Sequence, residues 1–485
     1  MSILPSIPRV LMSVPVSPIG DDIQDNSSAD SRIHSDSVEI AKLQQLMKKA
    51  PSGHPDLPKY QENLRNAFAK RYHRLQDLKD LEEAIRNKQE VLTKHPDHAQ
   101  CLESLGRSLT DRYRRLGDLK DLEDAVQIHL KAVDLTPPVH MERMERLQGL
   151  AVALRDRYQR LGQLKDHENA LQRSQEAVNL IQADHPDRAR YLQVLGESIT
   201  DRYQQLGDLE DLEAAVKNDL EAVELIPIDH PERPKYLKNL AVSLVDRYDK
   251  LGDLEDLMLA VERKQEAVKL TPGDHPDRGE YLYSLAVSLR DQYQTLGDLQ
   301  DLENAVQKGR EAVNLTAADH PDRPERLEAL GVVLIDQYHN LGNLKDLDAA
   351  LHIFEEVVNL VPADHPVQMV SLRNLAVFSA HRYQQVGCLI DLEAAVQRFQ
   401  EVMDQTPAGH PSRADRLQGL AASLHDQYRR LGDLQNLEAA IQGFQEAVDL
   451  TPPGHPDQVL RLQNLGLSFR DQYQRLGDLQ DLEAE

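Results

Sequence analysis

The fold is decided by the stretch at residues 201–227, which reads DRYQQLGDLEDLEAAVKNDLEAVELIP. It contains the end of one helix, a Leu-Gly turn and a complete second helix. The turn recurs every 45 residues, and a fixed period of roughly 20–50 residues is typical of a solenoid or a propeller. Its copies are Leu116-Gly117, Leu161-Gly162, Leu206-Gly207, Leu251-Gly252, Leu296-Gly297, Leu341-Gly342, Leu431-Gly432 and Leu476-Gly477, with Val386-Gly387 as a variant.

Each period contains two apolar patterns with helical spacing. The first predicts a helix over 186–206, with proline at its first position and one apolar face: Leu192, Leu195, Ile199, Tyr203 and Leu206. Gly207 supplies a left-handed residue and Asp208 an N-cap. The second helix ends before Pro227 and is predicted to bury Leu209, Leu212, Ala215, Val216, Leu220 and Val223. No strand pattern alternates with these helices, which excludes a propeller. The fold class is therefore all-α, a right-handed superhelical solenoid of about ten helix pairs.

One histidine marks the loop before each first helix. Neighbouring repeats place equivalent residues about 10 Å apart, whereas zinc binds nitrogen at about 2 Å, so a shared metal ladder is disfavoured. We predict instead that each histidine packs or caps its own loop, and we predict no metal and no cofactor. These residues are His54, His95, His140, His185, His230, His275, His320, His365, His410 and His455.

The repeat also sets the domain boundaries. Residues 1–36 are polar and proline-broken, which predicts a disordered leader. Residues 37–50 predict a degenerate capping helix, and residues 51–485 an array of about ten 45-residue repeats. The tenth second helix starts at Asp478 and stops at Glu485, so we expect a fragment or truncated gene, or a further segment beyond residue 485.

Composition and charge limit the classes of function. The 81 acidic and 56 basic residues give a net charge of -25, which repels phosphate and disfavours a nucleic-acid partner. The sequence has no run of 18 apolar residues, so it predicts no membrane helix. The two cysteines, Cys101 and Cys388, cannot form a disulfide framework by themselves. We expect a cytoplasmic protein. Phosphate loops, GxSxG and HExxH motifs are missing from the sequence, so we do not expect an enzyme.

These repeats resemble the tetratricopeptide repeat. Leu195-Gly196 in the first helix, with Ala215, Ala222 and Pro227 in and after the second, match that family's pattern. The departure is length, since the family repeat has about 34 residues. The longer form is similar to the kinesin-light-chain type and to fungal arrays that often precede a CHAT-type, caspase-like peptidase domain. The resemblance implies a groove lined by first helices.

A column of aspartates near the end of each first helix, here called the aspartate column, is the candidate partner-binding surface. One interpretation is an acidic groove for a basic peptide or helix. The alternative is a set of solvated ion pairs four residues apart on one helix, such as Asp156–Arg160 and Asp471–Arg475. The column contains Asp111, Asp156, Asp201, Asp246, Asp291, Asp336, Asp426 and Asp471, and His381 interrupts it.

The neighbouring tyrosines are predicted to pack in the core with wet hydroxyls. They are Tyr113, Tyr158, Tyr203, Tyr248, Tyr293, Tyr338, Tyr383, Tyr428 and Tyr473.

The sequence thus predicts a non-catalytic scaffold that binds a protein or peptide, with Lys/Arg-rich partners favoured. The alternative is a regulatory or sensor array of a larger protein whose downstream CHAT-type peptidase domain lies outside this chain. The partner's identity and the oligomeric state are left open.

Overall fold

The computed structural model describes residues 38–46, 49, 63–64, 67–68, 71–72, 78–362 and 365–477. Its described secondary structure is entirely helical. Two compact units divide the chain, unit 1 at residues 1–271 and unit 2 at residues 272–485. The predicted leader, His54 and the final helix from Asp478 lie outside the described residues.

Long helices alternate in two roles, which we call A for the first helix of a repeat and B for the second. In unit 1 the A helices are α2 (Ala99–Leu116), α4 (Arg143–Leu161), α6 (Arg188–Leu206) and α8 (Arg233–Leu251). Its B helices are α1 (Leu78–Lys94), α3 (Leu119–Asp134), α5 (Leu164–Leu180), α7 (Leu209–Leu225) and α9 (Leu254–Leu270). Residues 38–46 form a further helix, whose Ile40 and Leu43 are buried with Leu64, Ala67, Phe68 and Ala84.

Unit 2 continues the same alternation. Its A helices are α10 (Arg278–Leu296), α12 (Arg323–Leu341), α14 (Pro366–Val386), α16 (Arg413–Leu431) and α18 (Gln458–Leu476). Its B helices are α11 (Leu299–Asn314), α13 (Leu344–Leu360), α15 (Leu389–Asp404) and α17 (Leu434–Asp449). Within each unit an A helix packs on the B helix that follows it and on the B helix before it, which confirms the predicted succession of helix pairs.

The turn between A and B is built as the sequence predicts. Gly207 has φ 69° and ψ 20°, a left-handed conformation that costs a non-glycine residue about 1–2 kcal/mol. Its N–H donates to the Tyr203 carbonyl, and the Asp208 side chain accepts from the Glu210 N–H. Two residues thus end one helix and start the next.

The start of the A helix differs from the prediction. We placed proline at its first position, but α6 begins at Arg188, two residues after Pro186. His185 occupies the loop, where its Nδ1 accepts the Asp187 N–H at 3.1 Å. Pro186 and Asp187 therefore form a turn before the helix, and the hydrogen bond to His185 stabilises that turn. Only α14 among the described A helices begins at its proline, Pro366.

Three leucines predicted to be buried are exposed. Leu206, the last residue before the left-handed Gly207, is 70% exposed. Leu209, just beyond the turn, is also exposed. Leu220 is 43% exposed, because the core position of α7 belongs to its neighbour Asp219. Spacings of three and four from Val216 to Val223 allow either residue, and the packing angle selects Asp219.

Asp219 is buried, and we call the set of residues at its position in each repeat the core column. In unit 1 it is polar, and in unit 2 mostly phenylalanine. A Cβ added at Gly331 would lie 2.7 Å from the Phe354 ring, so the glycine of the A helix makes room for this large residue. The column contains Lys88, His129, Ser174, Asp219, Lys264, Gly309, Phe354, Phe399 and Phe444.

Two charged members of the core column are stabilised by serines of the next A helix. Lys88 donates from Nζ to Ser108 Oγ at 2.6 Å, and Ser243 Oγ donates to Asp219 Oδ2 at 2.7 Å. Burial raises the pKa of Asp219 to about 7, with Glu197 adding to the rise. The carboxyl of Asp219 is therefore mainly protonated in the folded chain only below that pH.

An arginine–aspartate clasp, nine residues apart, closes the A–B turn. In α6 and α7, Arg202 Nε donates to Asp211 Oδ2 at 2.7 Å, and the Asp211 carboxylate is buried. Unit 1 repeats this clasp at Arg71–Asp80, Arg112–Asp121, Arg157–Asp166 and Arg247–Asp256, and unit 2 at Arg382–Asp391. Planar guanidinium groups suit such two-point contacts, so the clasp fixes the angle between the two helices.

Unit 2 contains natural exceptions to the clasp. Gln292 stands where the arginine belongs, and its buried Oε1 accepts no hydrogen bond from any residue that the structure describes. Its counterpart Asp301 has a raised pKa because of burial and the nearby Asp298. We therefore predict that Gln292→Arg forms the clasp with Asp301 and increases the free energy of unfolding by about 1 kcal/mol, as measured by urea titration.

The same substitution at residue 427 is a matched control. Gln427 stands at the equivalent site, but the acidic partner is replaced by the neutral Asn436. Gln427→Arg should leave the urea midpoint within about 0.5 kcal/mol of the wild type. Equal stabilisation by both substitutions would contradict the assignment of the gain to the clasp.

A second prediction concerns the stability of unit 1 as a function of pH. Because the folded-state pKa of Asp219 lies above its unfolded value of about 3.9, stability is lost as pH rises towards 7. Between pH 5.5 and 8 the wild type should lose roughly 1–2 kcal/mol more than Asp219→Asn, as measured by urea unfolding. Asp229→Asn, in an exposed loop, should keep the wild-type pH dependence, and an equal slope in all three proteins would refute the role of Asp219.

Candidate interaction surface

The aspartate column lies on the side of the A helices that faces the neighbouring A helices, as the contacts of Asp156 and Asp336 show, and all eight members are half-buried. We call this side of the A helices the A face. Successive A helices of one unit contact each other along it. The column therefore looks into the gap between neighbouring A helices.

In unit 1, aspartates of the column accept hydrogen bonds from arginines on the A helix of the preceding repeat. Asp156 accepts from Arg114 on α2, with Nε–Oδ2 2.8 Å and Nη2–Oδ1 3.1 Å. Asp201 accepts from Arg155 Nε on α4 at 2.6 Å. The column thus joins adjacent A helices.

The same pairing occurs in unit 2 with other donors. Arg290 Nε lies 2.5 Å from Asp336 Oδ2, and Asp471 is contacted by His425 Nε2 at 2.9 Å and Arg429 Nε at 3.0 Å. Burial raises the pKa of Asp471, but the hydrogen bonds from Arg429 and His425 outweigh it and hold the pKa below its usual value.

The predicted pairs within one helix, four residues apart, are wrong where the contacts can be followed. Asp156 contacts Arg114 rather than Arg160, and Asp471 contacts Arg429 rather than Arg475. The later arginine sits on the exposed last turn, whereas the arginine of the neighbouring helix lies across the gap that the column faces. Sequence spacing within one helix could not reveal this contact.

His381 breaks the column, and its neighbour changes with it. His339 of α12 lies opposite, with ring centroids 6.2 Å apart. Burial lowers the pKa of His381, and the charge of His339 lowers it further. Within the described ranges, no group of three or more His, Cys, Asp or Glu side chains could hold a metal ion.

An apolar line runs beside the aspartate column in unit 2 and was missed by the sequence reading. It lies four residues earlier, on the same side of each A helix. All members are exposed in part, and Val377 is 42% exposed. We call the set Val287, Val332, Val377, Ala422 and Leu467 the apolar ladder. The signal was present as a 45-residue column of small apolar residues.

Unit 1 interrupts this ladder: Val152 and Val242 take the ladder position on α4 and α8, but polar residues take it on α2 and α6. Glu197 takes the ladder position of α6 and accepts from Asn239 Nδ2 at 2.9 Å and Gln193 Nε2 at 3.0 Å, beside Arg155. Burial raises the pKa of Glu197, but Arg155 and Lys235 outweigh it and lower the pKa overall. The A face of unit 1 is thus internally satisfied at α6, whereas that of unit 2 exposes apolar groups.

The other sequence candidates have structural positions. Tyr158 and Tyr338 are buried, and the remaining tyrosines of their column are half-buried. The eight marker histidines from His140 to His455 cap their loops through Nδ1, as His230 does with the Glu232 N–H at 3.2 Å. Cys101 and Cys388 are both free thiols. No helix in the described part of the chain has the length and apolar character needed to cross a bilayer.

Comparison with known proteins agrees with this architecture. The family profile Tetratricopeptide repeat matches residues 98–138, 144–187 and 279–322, each containing most or all of an A–B pair. The chain contains tetratricopeptide repeats. These tetratricopeptide repeats place their A helices on the candidate surface, and their B helices behind it. No curated protein matches the chain.

The chain is also similar to several solved structures. The human IFIT1 dimer with m7Gppp-AAAA is 14% identical, covering 91% of this chain and 87% of that chain at a TM-score of 0.45. A Podospora anserina structure with "kinesin light chain nearly identical TPR-like repeats" is 22% identical. The match covers 46% of this chain and 96% of that chain, at a TM-score of 0.34. YrrB, described as a TPR protein with an unusual peptide-binding site, is 17% identical. The match covers 46% of this chain and 90% of that chain, at a TM-score of 0.31.

The histidine pair generates a prediction for unit 2. A histidine with a lowered folded-state pKa gives stability that is present above its unfolded pKa and lost as pH falls. His381→Asp would recreate a histidine–aspartate contact like that of His425 and Asp471, so the variant should lose less stability than the wild type between pH 7.5 and 5.5. Thermal unfolding at both pH values measures the difference, expected at about 0.5–1 kcal/mol.

An exposed histidine on a B helix provides the comparison. His352→Asp changes the same charge on α13 away from the A face. It should retain the wild-type difference between the two pH values. If His352→Asp reduces that difference as much as His381→Asp does, the histidine pair is not the cause.

Proposed function

We propose that this chain is a non-catalytic protein-interaction scaffold whose A face holds an extended or helical segment of a partner protein. The single observation that carries this proposal is the apolar ladder of unit 2. Five successive A helices each expose one aliphatic side chain in part, at the same position of the repeat. Apolar groups aligned at repeat spacing give a partner segment regular contact points.

Charge favours a basic partner over a nucleic acid. The net charge of -25 would repel a phosphate backbone, whereas it attracts Lys and Arg side chains. In the aspartate column, part of this charge is already neutralised by arginines of neighbouring helices, as at Asp156 and Asp336. The column therefore supplies a general acidic field and holds the A helices in register, while the apolar ladder supplies contact area.

A peptide selected on the intact chain tests the proposal. Peptides recovered at low salt from a random library should combine Lys or Arg with aliphatic residues. Val332→Asp with Val377→Asp should weaken the binding of such a peptide by roughly ten-fold or more, because two carboxylates would replace apolar contacts. Fluorescence anisotropy of the labelled peptide measures the affinity, and equal affinity for wild type and variant would overturn the assignment to the ladder.

The aspartate column is tested with the same peptide. Changing Asp201, Asp246 and Asp291 to Ala should weaken binding and flatten its dependence on salt, because three negative charges leave the A face. The matched control removes three exposed acids from B helices through Glu123→Ala, Glu213→Ala and Glu303→Ala, with the same change in net charge. Unchanged affinity of the column variant at low salt, or equal weakening in the control, argues against a role for the column.

A further inference from the structure

A second line of residues crosses the A face of unit 2, eight positions before the aspartate column. It contains Glu328 on α12, Arg373 on α14 and Gln418 on α16, and we call it the polar row. Each of these side chains lies one helical turn before the apolar ladder, so both lines face the same side. All three are half-buried.

The hydrogen-bonding capacity of the polar row is unused. Glu328 Oε1 and Gln418 Oε1 are buried, and neither accepts a hydrogen bond from any described residue. Arg373 makes no ion pair within the described ranges. Buried polar atoms are normally paired, because leaving one unpaired costs about 1–3 kcal/mol. Three adjacent helices therefore present an acceptor, a cationic donor and an acceptor in sequence.

The equivalent residues of unit 1 that can be compared are already engaged. Glu103 pairs with Arg107 and lies 3.6 Å from Arg146 Nε, and Gln148 Nε2 donates to the Arg190 carbonyl at 3.2 Å. These residues at the polar-row position of unit 1 thus form ion pairs or hydrogen bonds with other residues of the chain. Among the described residues, the unpaired oxygens of Glu328 and Gln418 are thus particular to α12 and α16 and are not imposed by the repeat geometry.

The surroundings of the polar row separate opposite charges. On α12, Glu325 lies one turn before Glu328, and burial with the nearby Asp322 raises the pKa of Glu325. On the other side, burial and the charge of Arg373 lower the pKa of Arg416 on α16. Arg290, on α10, donates a hydrogen bond to Asp336, and its charge also stabilises the ionised form of Glu328. The polar row therefore has the acidic Glu325 beside it on α12 and the basic Arg416 beside it on α16.

We propose that the polar row recognises an extended segment of a partner protein that presents a basic side chain to Glu328 and an acidic side chain to Arg373. Neighbouring helices lie about 8–10 Å apart, and an extended chain rises about 3.3 Å per residue. The two charged residues of the partner are therefore three positions apart, and its aliphatic residues contact the apolar ladder. This inference rests on the proposed function and assigns the sequence preference of the same surface.

Pools of labelled synthetic peptides test it on the intact chain. In the paired pool, Lys and Glu stand three positions apart in both orders among randomised small and aliphatic residues. In the two comparison pools, both charged positions are Lys or both are Ala. The paired pool should bind roughly ten-fold more tightly than either comparison pool in fluorescence anisotropy. Equal binding of the paired and Ala pools would overturn the proposal.

Charge reversal separates recognition from folding. Glu328→Arg and Arg373→Glu should each weaken binding of the paired pool, and the double variant should restore it, because the pool contains both orders. The neutralised variant, Glu328→Gln with Arg373→Gln, should lose the preference for the paired pool while it keeps its affinity for the Ala pool. A control pair on α11, Glu303→Arg with Arg310→Glu, should bind as the wild type does. Failure of the double reversal to restore binding in a helical, folded chain would refute the pairing.

The pH dependence gives an independent readout. Burial raises the pKa of Glu328 to about 7; the charges of Arg290 and Arg373 on the facing helices lower it and Glu325 raises it. Below that pH the carboxyl is neutral, so affinity for the paired pool should fall several-fold from pH 8 to pH 6 in the wild type and stay level in Glu328→Gln. A level profile in the wild type would exclude Glu328 as the acceptor.

The outcomes also separate this inference from the proposed function. If the Ala pool binds and Val377→Asp weakens that binding, while the paired pool has no advantage, the scaffold stands and the polar row does not select. If no pool binds the intact chain, both proposals fail.

Discussion

The left-handed glycine between the A and B helices is the constraint on which the other contacts depend. Gly207 ends α6, and Asp208 begins α7 with no further linker. Because so short a turn fixes the direction of the second helix, residues nine positions apart across it can meet, as Arg202 and Asp211 do. The clasp then holds the helix angle that brings Ala and Leu faces together.

That fixed angle explains why the core column can contain such different residues. Each pair leaves a similar space between the B helix and the facing A helix, and the glycine or serine opposite adjusts to the occupant. Phe354 fits because Gly331 has no Cβ, whereas Asp219 is stabilised by a hydroxyl from Ser243. Unit 2 therefore has the more apolar centre, and unit 1 carries ionisable groups whose protonation is linked to folding.

The A face shows the same contrast in reverse. In unit 1 the ladder position is aliphatic only at Val152 and Val242, and Glu197 at that position of α6 is satisfied by Arg155, Asn239 and Gln193. In unit 2 the corresponding positions are aliphatic, and Glu328 one register earlier has a buried oxygen with no hydrogen-bond donor among the described residues. Unused hydrogen-bonding groups beside exposed aliphatic groups are what a partner segment can satisfy, so unit 2 is the stronger candidate for binding.

The sequence by itself determined the helix pairs, the period, the left-handed glycine and the aspartate N-cap, because these depend on local backbone preferences and on spacing along one chain. It also located the aspartate column. Only the tertiary structure decided that Asp156 pairs with Arg114 of another helix, that Asp219 and not Leu220 enters the core, and that Glu328 has no donor. Each of these depends on the angle and separation of two helices. Residues 42 positions apart are brought into contact by that packing, and helical periodicity carries no information about it.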